Sequence, residues 1–131
     1  DSILYYIFYP LSNKGNLMLI ILPFLPISVN QSYRSCKNRV YKSKQLCDFE
    51  KRVDTFFKTF ENIEFLKGNL RVEIVFELKS CRKRDLDNLL KSLFDSLEGR
   101  IFENDSQIYE IQCKKLHNCT QDCTIINIFE I

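Results

Sequence analysis

Apolar and polar residues alternate along this chain in two rhythms, and together these mark most of its elements. The clearest stretch is LRVEIVFEL at 70–78, where Leu70, Val72, Ile74, Phe76 and Leu78 alternate with Arg71, Glu73, Val75 and Glu77. Successive strand side chains point to opposite faces, so this pattern predicts a strand with one buried face. Helical spacing occurs twice. Leu46, Phe49, Val53, Phe56, Phe57 and Phe60 share one stripe while Lys51, Arg52 and Lys58 lie off it, which predicts an amphipathic helix beginning near Ser43. Leu86, Leu89, Leu90, Leu93, Phe94 and Leu97 form a second stripe, and Gly99 stands where helices commonly stop.

The remaining stretches complete the outline. LMLIIL at 17–22 reads as a buried strand stopped by Pro23 and Pro26, and PISVNQSYRSCKNRVY after it reads as an exposed, basic loop. IYEIQC and TIINIFEI are β-rich runs joined by KKLHNCTQDC, and they predict a terminal hairpin. The order of elements predicts an α+β domain, a small mixed β-sheet packed with two main helices. The chain begins with aspartate while Met18 precedes LIILPFLP, so residues 1–17 are expected to be an upstream or appended stretch and 18–131 the working domain. The alternative is a genuine extra strand, ILYYIFY, turned at SNKGN onto LMLIIL.

Composition narrows the picture. A chain of 131 residues that is 45% hydrophobic can bury the core of one domain without disulfides. Its net charge of +2 does not by itself announce a nucleic-acid binder, but the basic residues cluster. Arg34, Lys37, Arg39, Lys42, Lys44, Lys51, Arg52 and Lys58 face only Asp48, Glu50 and Asp54 in the same stretch, and Lys79, Arg82, Lys83 and Arg84 make a second group. Such runs are either solvated faces or surfaces that track phosphates. Tyr33 and Tyr41 among them either pack or stack on unpaired bases.

Six cysteines stand at 36, 47, 81, 113, 119 and 123, and Leu17–Leu25 is too short and too broken by proline to span a membrane. Reduced thiols and a cytoplasmic location are the expectation. Cys113, His117, Cys119 and Cys123 are four potential zinc ligands in an unfamiliar spacing, read here as free thiols near a turn.

The segment RKRDLDNLLKSLFDSL at 82–97 carries the candidate chemistry. Asp85 precedes the predicted helix, where a carboxylate can cap backbone amides. Asp87 has no such explanation. Two neighbouring carboxylates push one another toward protonation unless a cation lies between them, or unless Arg82, Lys83 and Arg84 serve as their partners. Asp105 is a third candidate. If the chain from Gly99 to Glu103 runs back along the helix, Asp105 returns to its start, and three carboxylates there suit a hard cation such as Mg²⁺. Lys91, one turn beyond Asp87, is placed to meet a phosphate.

RDLDNLLKSLFDSL at 84–97, NDSQ at 104–107 and LPFLPISVNQSYR at 22–34 together resemble the RusA-like Holliday-junction resolvases, over about residues 18–131. The resemblance implies a Mg²⁺-dependent endodeoxyribonuclease that acts as a homodimer on four-way DNA junctions, with Mn²⁺ as a possible substitute. It implies that Asp85, Asp87 and Asp105 hold the metal, that Lys91 assists at the phosphate, and that Asn88 supports the site. Asn104 departs from the family's pattern, in which an acidic residue precedes the last aspartate; its neutral oxygen can still help a metal or a water. For DNA contact the resemblance and the basic clusters together nominate Asn30, Tyr33, Arg34, Lys37, Arg39, Lys42, Lys44, Arg82, Lys83 and Arg84. Such a protein is expected in the nucleoid, or in the DNA compartment of a virus or organelle. Two rivals stay open: a nuclease of the same fold with another branched substrate, and a junction binder that does not cut.

Overall fold

The computed structural model describes residues 6–10, 16–60 and 63–131. Its strands are β1 (Tyr6–Pro10), β2 (Asn16–Leu22), β3 (Tyr33–Cys36), β4 (Arg39–Lys42), β5 (Leu70–Glu77), β6 (Ile108–Leu116) and β7 (Cys123–Glu130). Its helices are α1 (Lys44–Lys58) and α2 (Leu86–Leu97), with short 3₁₀ turns at Val29–Gln31 and Asp105–Gln107. The main sheet runs β1-β2-β7-β5-β6. Only its β5–β6 pair is parallel, so the expected mixed α+β architecture is what forms.

The alternation in β5 survives as burial. Leu70, Val72, Ile74 and Phe76 are buried while Arg71, Glu73, Val75 and Glu77 are partly exposed. The buried row continues through Met18, Ile20 and Leu22 of β2 and Ile126 and Ile128 of β7. Against it pack Leu46, Phe49 and Val53 of α1 and Leu89, Leu93 and Leu97 of α2, so both apolar stripes end in one core. The opposite row, including Leu19, Ile21, Ile125 and Phe129, is half-buried, and the Arg71 guanidinium lies 4.4 Å from the centre of the Phe129 ring.

Two readings of the sequence change. Residues 33–42 are not a loop but the β3–β4 hairpin, with Tyr33 opposite Lys42 and Arg34 opposite Tyr41. Lys37 and Asn38 turn it with φ of 49° and 63°, the left-handed pair that a two-residue hairpin turn demands. All eight strand residues are exposed, so no alternation of apolar residues betrayed it. The terminal runs are strands but not a hairpin. β5 lies between β6 and β7, because its buried face needs a ladder on both edges and α2 delivers β6 to the outer one in parallel. At the other end of the sheet β1 pairs antiparallel with β2, Tyr6 opposite Ile20, as the hairpin alternative required. The turn at SNKGN and the start of ILYYIFY lie outside the described residues.

Candidate active site

Asp85 is the N-cap residue of α2, with extended backbone, and its carbonyl accepts the first helical bond from the Leu89 N–H at 3.2 Å. Its carboxylate does not cap the helix. Among the described residues neither Asp85 nor Asp87 makes a side-chain hydrogen bond or ion pair, so Arg82, Lys83 and Arg84 are not their partners. Both carboxylates are exposed at the end of a helix whose unpaired N–H groups favour negative charge. Asn88 is half-buried one residue further on.

Asp105 stands elsewhere. The chain does not run back along α2: the Gly99 N–H bonds the Phe102 carbonyl at 2.7 Å, with Gly99 at φ 80°, and closes a tight turn at the helix's far end. The Asp105 N–H then donates to Glu98 Oε1 at 3.0 Å, and Glu98 is the C-cap of α2. Sheet register agrees. Leu70 faces Ile108 and Glu77 faces Leu116, so β6 starts where β5 starts, whereas α2 starts where β5 ends. A twelve-residue helix is roughly 18 Å long at about 1.5 Å per residue, and an aspartate side chain does not bridge that distance. No group of three His, Cys, Asp or Glu side chains among the described residues is gathered to hold a metal.

Lys91 lies between the two ends. Its Nζ bonds Asp95 Oδ1 at 3.0 Å, one turn toward the C-terminus. That hydrogen bond and charge raise the Lys91 pKa above its usual value, with smaller contributions from the charges of Asp105 and Glu98. Asp95 and Glu98 escaped the sequence reading, although Asp87, Lys91, Asp95 and Glu98 follow helical spacing along one face.

The turn that presents Asp105 is held from several sides. Asn104 Oδ1 accepts from the Ser106 N–H at 2.8 Å, so its neutral oxygen caps the 3₁₀ turn, a role an aspartate would fill equally well. Gln107 Oε1 accepts from the N–H groups of Glu103 and Asn104 at 3.0 and 3.1 Å, and its Nε2 donates to the carbonyls of Leu66 and Gly68, both at 3.0 Å.

The basic candidates divide. Tyr33, Arg34, Lys37, Arg39 and Lys42 sit on the exposed β3–β4 hairpin, Arg34 and Arg39 on the face that carries Tyr41. Lys42 is engaged with Glu50 at 3.1 Å. Asn30 accepts from the Ser28 hydroxyl at 2.6 Å, and Lys44 opens α1. Arg82 and Lys83 are exposed in the lead-in to α2, while the carbonyl of half-buried Arg84 accepts from Lys115 Nζ. The four zinc candidates do not converge: His117 Nδ1 is 3.2 Å from the Ser80 carbonyl, and burial pushes the Cys123 thiol up to about 11, away from the thiolate a metal needs. All six cysteines are free.

Comparison with known proteins decides the family. The model of the endodeoxyribonuclease RusA family matches residues 23–128. This chain belongs to the RusA family. It is 31% identical over 90 residues to the crossover junction endodeoxyribonuclease rusA of Enterobacteria phage HK97, covering 69% of this chain and 74% of that protein. It is likewise 31% identical over 116 residues to the crossover junction endodeoxyribonuclease RusA of Aquifex aeolicus strain VF5, covering 83% and 88%. The RusA match spans β5, α2, the Asp105–Gln107 turn and β6, and with them all three aspartates, as well as the β3–β4 hairpin. No helix among the described residues is long and apolar enough to cross a membrane.

Proposed function

We propose that this RusA-family chain is a Mg²⁺-dependent, structure-selective endonuclease that resolves four-way DNA junctions by paired phosphodiester hydrolysis, with Mn²⁺ able to substitute. The observation that carries the reading is the pair Asp85 and Asp87, whose carboxylates are exposed at the start of α2 without a partner among the described residues. Two like charges left unneutralised are costly to hold together, and a divalent cation removes that cost. The family relatives, named as crossover junction endodeoxyribonucleases, supply the reaction class.

One chain offers this ion two carboxylates and leaves the third residue of the motif at the other end of the helix, so the single chain does not fit the complete set. Asp85 and Asp87 would hold the ion, and such an ion supplies an activated water and neutralises charge on the phosphoryl oxygens. The protein's own contributions are separate. The β3–β4 hairpin and the Arg82–Arg84 lead-in offer cations to the phosphate backbone, which provides most of the affinity for DNA. Tyr33 and Tyr41, 56% and 52% exposed, offer faces to unpaired bases at a crossover.

The test is cleavage of a synthetic four-way junction with and without Mg²⁺, beside a panel of flapped and three-way DNAs. Mg²⁺-dependent, paired cuts in the junction are expected, lost in Asp85→Asn and Asp87→Asn while binding persists. Binding without cutting at every Mg²⁺ and Mn²⁺ concentration would establish the non-catalytic reading instead.

A further inference from the structure

We propose that Lys115 is a phosphate-contacting residue of the active site: its ammonium, fixed at the start of α2, donates to a non-bridging oxygen of the phosphodiester brought to Asp85 and Asp87. The inference rests on the nuclease reading and adds a group to its site.

Lys115 breaks the pattern of its strand. In the parallel β5–β6 pair Val72 lies opposite Ile111, Ile74 opposite Cys113 and Phe76 opposite Lys115. Directly opposed side chains share a face, and Val72, Ile74 and Phe76 are buried on the face that α1 and α2 cover. An apolar row thus ends in an ammonium. Lys115 is partly buried, and its Nζ donates to the Arg84 carbonyl. Among the described residues it makes no other hydrogen bond or ion pair. A cation drawn out of water onto one neutral acceptor is poorly compensated.

Its surroundings make the placement harder to explain by folding alone. Arg82, Lys83 and Arg84 lead into α2, whose N-terminal end is itself positive, so all of them disfavour a further cation. Asp85 and Asp87 follow, yet neither pairs with Lys115. Nor is a charge needed to place the lead-in. The Leu78 N–H bonds the Leu116 carbonyl at 2.7 Å, the Cys119 N–H bonds the Leu78 carbonyl at 3.0 Å, and the Lys79 N–H bonds Asp122 Oδ1 at 2.9 Å. An anion arriving from outside accounts for a cation that the fold leaves unpaired.

The ammonium has three N–H donors. One fixes the nitrogen on the carbonyl directly before Asp85, and two remain for phosphoryl oxygens. A phosphate that meets an ion on Asp85 and Asp87 lies at this same helix end, where Lys115 offsets the charge that grows on its oxygens as the attack proceeds. Lys91, in contrast, is engaged with Asp95.

The test compares Lys115→Met, Lys115→Gln and Lys115→Arg in single-turnover cleavage of the four-way junction and, without divalent ions, in junction binding across a salt series. Methionine keeps an unbranched stem without the charge; glutamine keeps an N–H for the Arg84 carbonyl without the charge. Both are expected to cut about 10²-fold more slowly or worse, and arginine to recover most of that loss. The plot of log affinity against log salt should flatten by about 0.9, one phosphate contact, in the methionine and glutamine variants and not in the arginine variant. A glutamine variant with wild-type cleavage and wild-type slope overturns the proposal, because Lys115 then only holds Arg84. Urea unfolding checks that each variant folds, and should the methionine variant not fold, the glutamine variant decides by the same two readouts. A wild type that binds the junction but never cuts it overturns the nuclease reading instead. The salt slope then decides alone: flattened, it upholds the phosphate contact; unchanged, it overturns it.

Discussion

At its N-terminal end α2 presents the carboxylates of Asp85 and Asp87, exposed and bonded to no side chain or backbone group among the described residues; at its C-terminal end Glu98, Asn104 and Gln107 bind a turn on every side. Both ends carry acidic residues that the resemblance to the family nominates. The difference is what each has been given to bond. A carboxylate left open costs little in water but repels its neighbour, and it keeps its lone pairs for a ligand. The other end spends its polar groups on backbone amides and carbonyls, so it fixes where Asp105 stands.

The sharpest way to break this contrast is to neutralise the open end. Asp85→Asn or Asp87→Asn should reduce junction cleavage on the order of 10²–10³-fold or more, the scale for groups that stabilise developing charge. Thermal or urea unfolding should move by no more than about 0.5 kcal/mol, as for surface sites outside a bonded network. A large loss of stability would show that these carboxylates have structural partners after all. The closed end should respond in the opposite sense. Gln107→Ala removes four hydrogen bonds to backbone and should cost about 2–3 kcal/mol in urea unfolding. An unchanged midpoint would mean the turn holds itself.

The next effect belongs to the hairpin. If Arg34 and Arg39 contact phosphates, replacing both by alanine should flatten the plot of log affinity against log salt by about 1.8, at roughly 0.9 per phosphate contact on duplex arms. The parallel replacement of Lys42, already engaged with Glu50, should flatten it less.

The smallest effect concerns the lysine between the two ends. Asp95 raises the Lys91 pKa above 10.5, so the pair's stabilisation is complete below that value and is lost as pH rises through the raised one. Both groups are more than half exposed, so Asp95→Asn should cost no more than about 1 kcal/mol at neutral pH and should abolish this alkaline loss. Unfolding midpoints between pH 9 and about 12 check the sign.

How much of this was legible in the sequence follows from where burial imposes a period. β5, α1 and α2 bury one face each, and Leu70 through Leu78, Leu46 through Val53 and Leu89 through Leu97 announce them. The β3–β4 hairpin buries nothing, so its only trace was Asn38 in a left-handed turn. Adjacent β-rich runs at the C-terminus looked like a local pair, and nothing in either run says that β5 must come between them. The motif nominated Asp85, Asp87 and Asp105 as candidates. The place of Asp105 was not legible, because chain length permitted a return path that the Gly99–Phe102 turn forecloses. Glu98 and Gln107 matter through contacts with residues up to forty-one positions away, which no local spacing reveals.

Ser43 is buried where the hairpin meets α1. Its hydroxyl donates to the Gln31 carbonyl at 2.6 Å and accepts from the Leu46 N–H at 3.1 Å, while its own N–H bonds the Ser32 carbonyl at 2.9 Å. The arginine-bearing arm is thus bolted at its root to a helix that is itself anchored in the core. Force applied at its tip therefore passes through the bonds of Ser43, hydroxyl and backbone together, into the core that α1 helps to form.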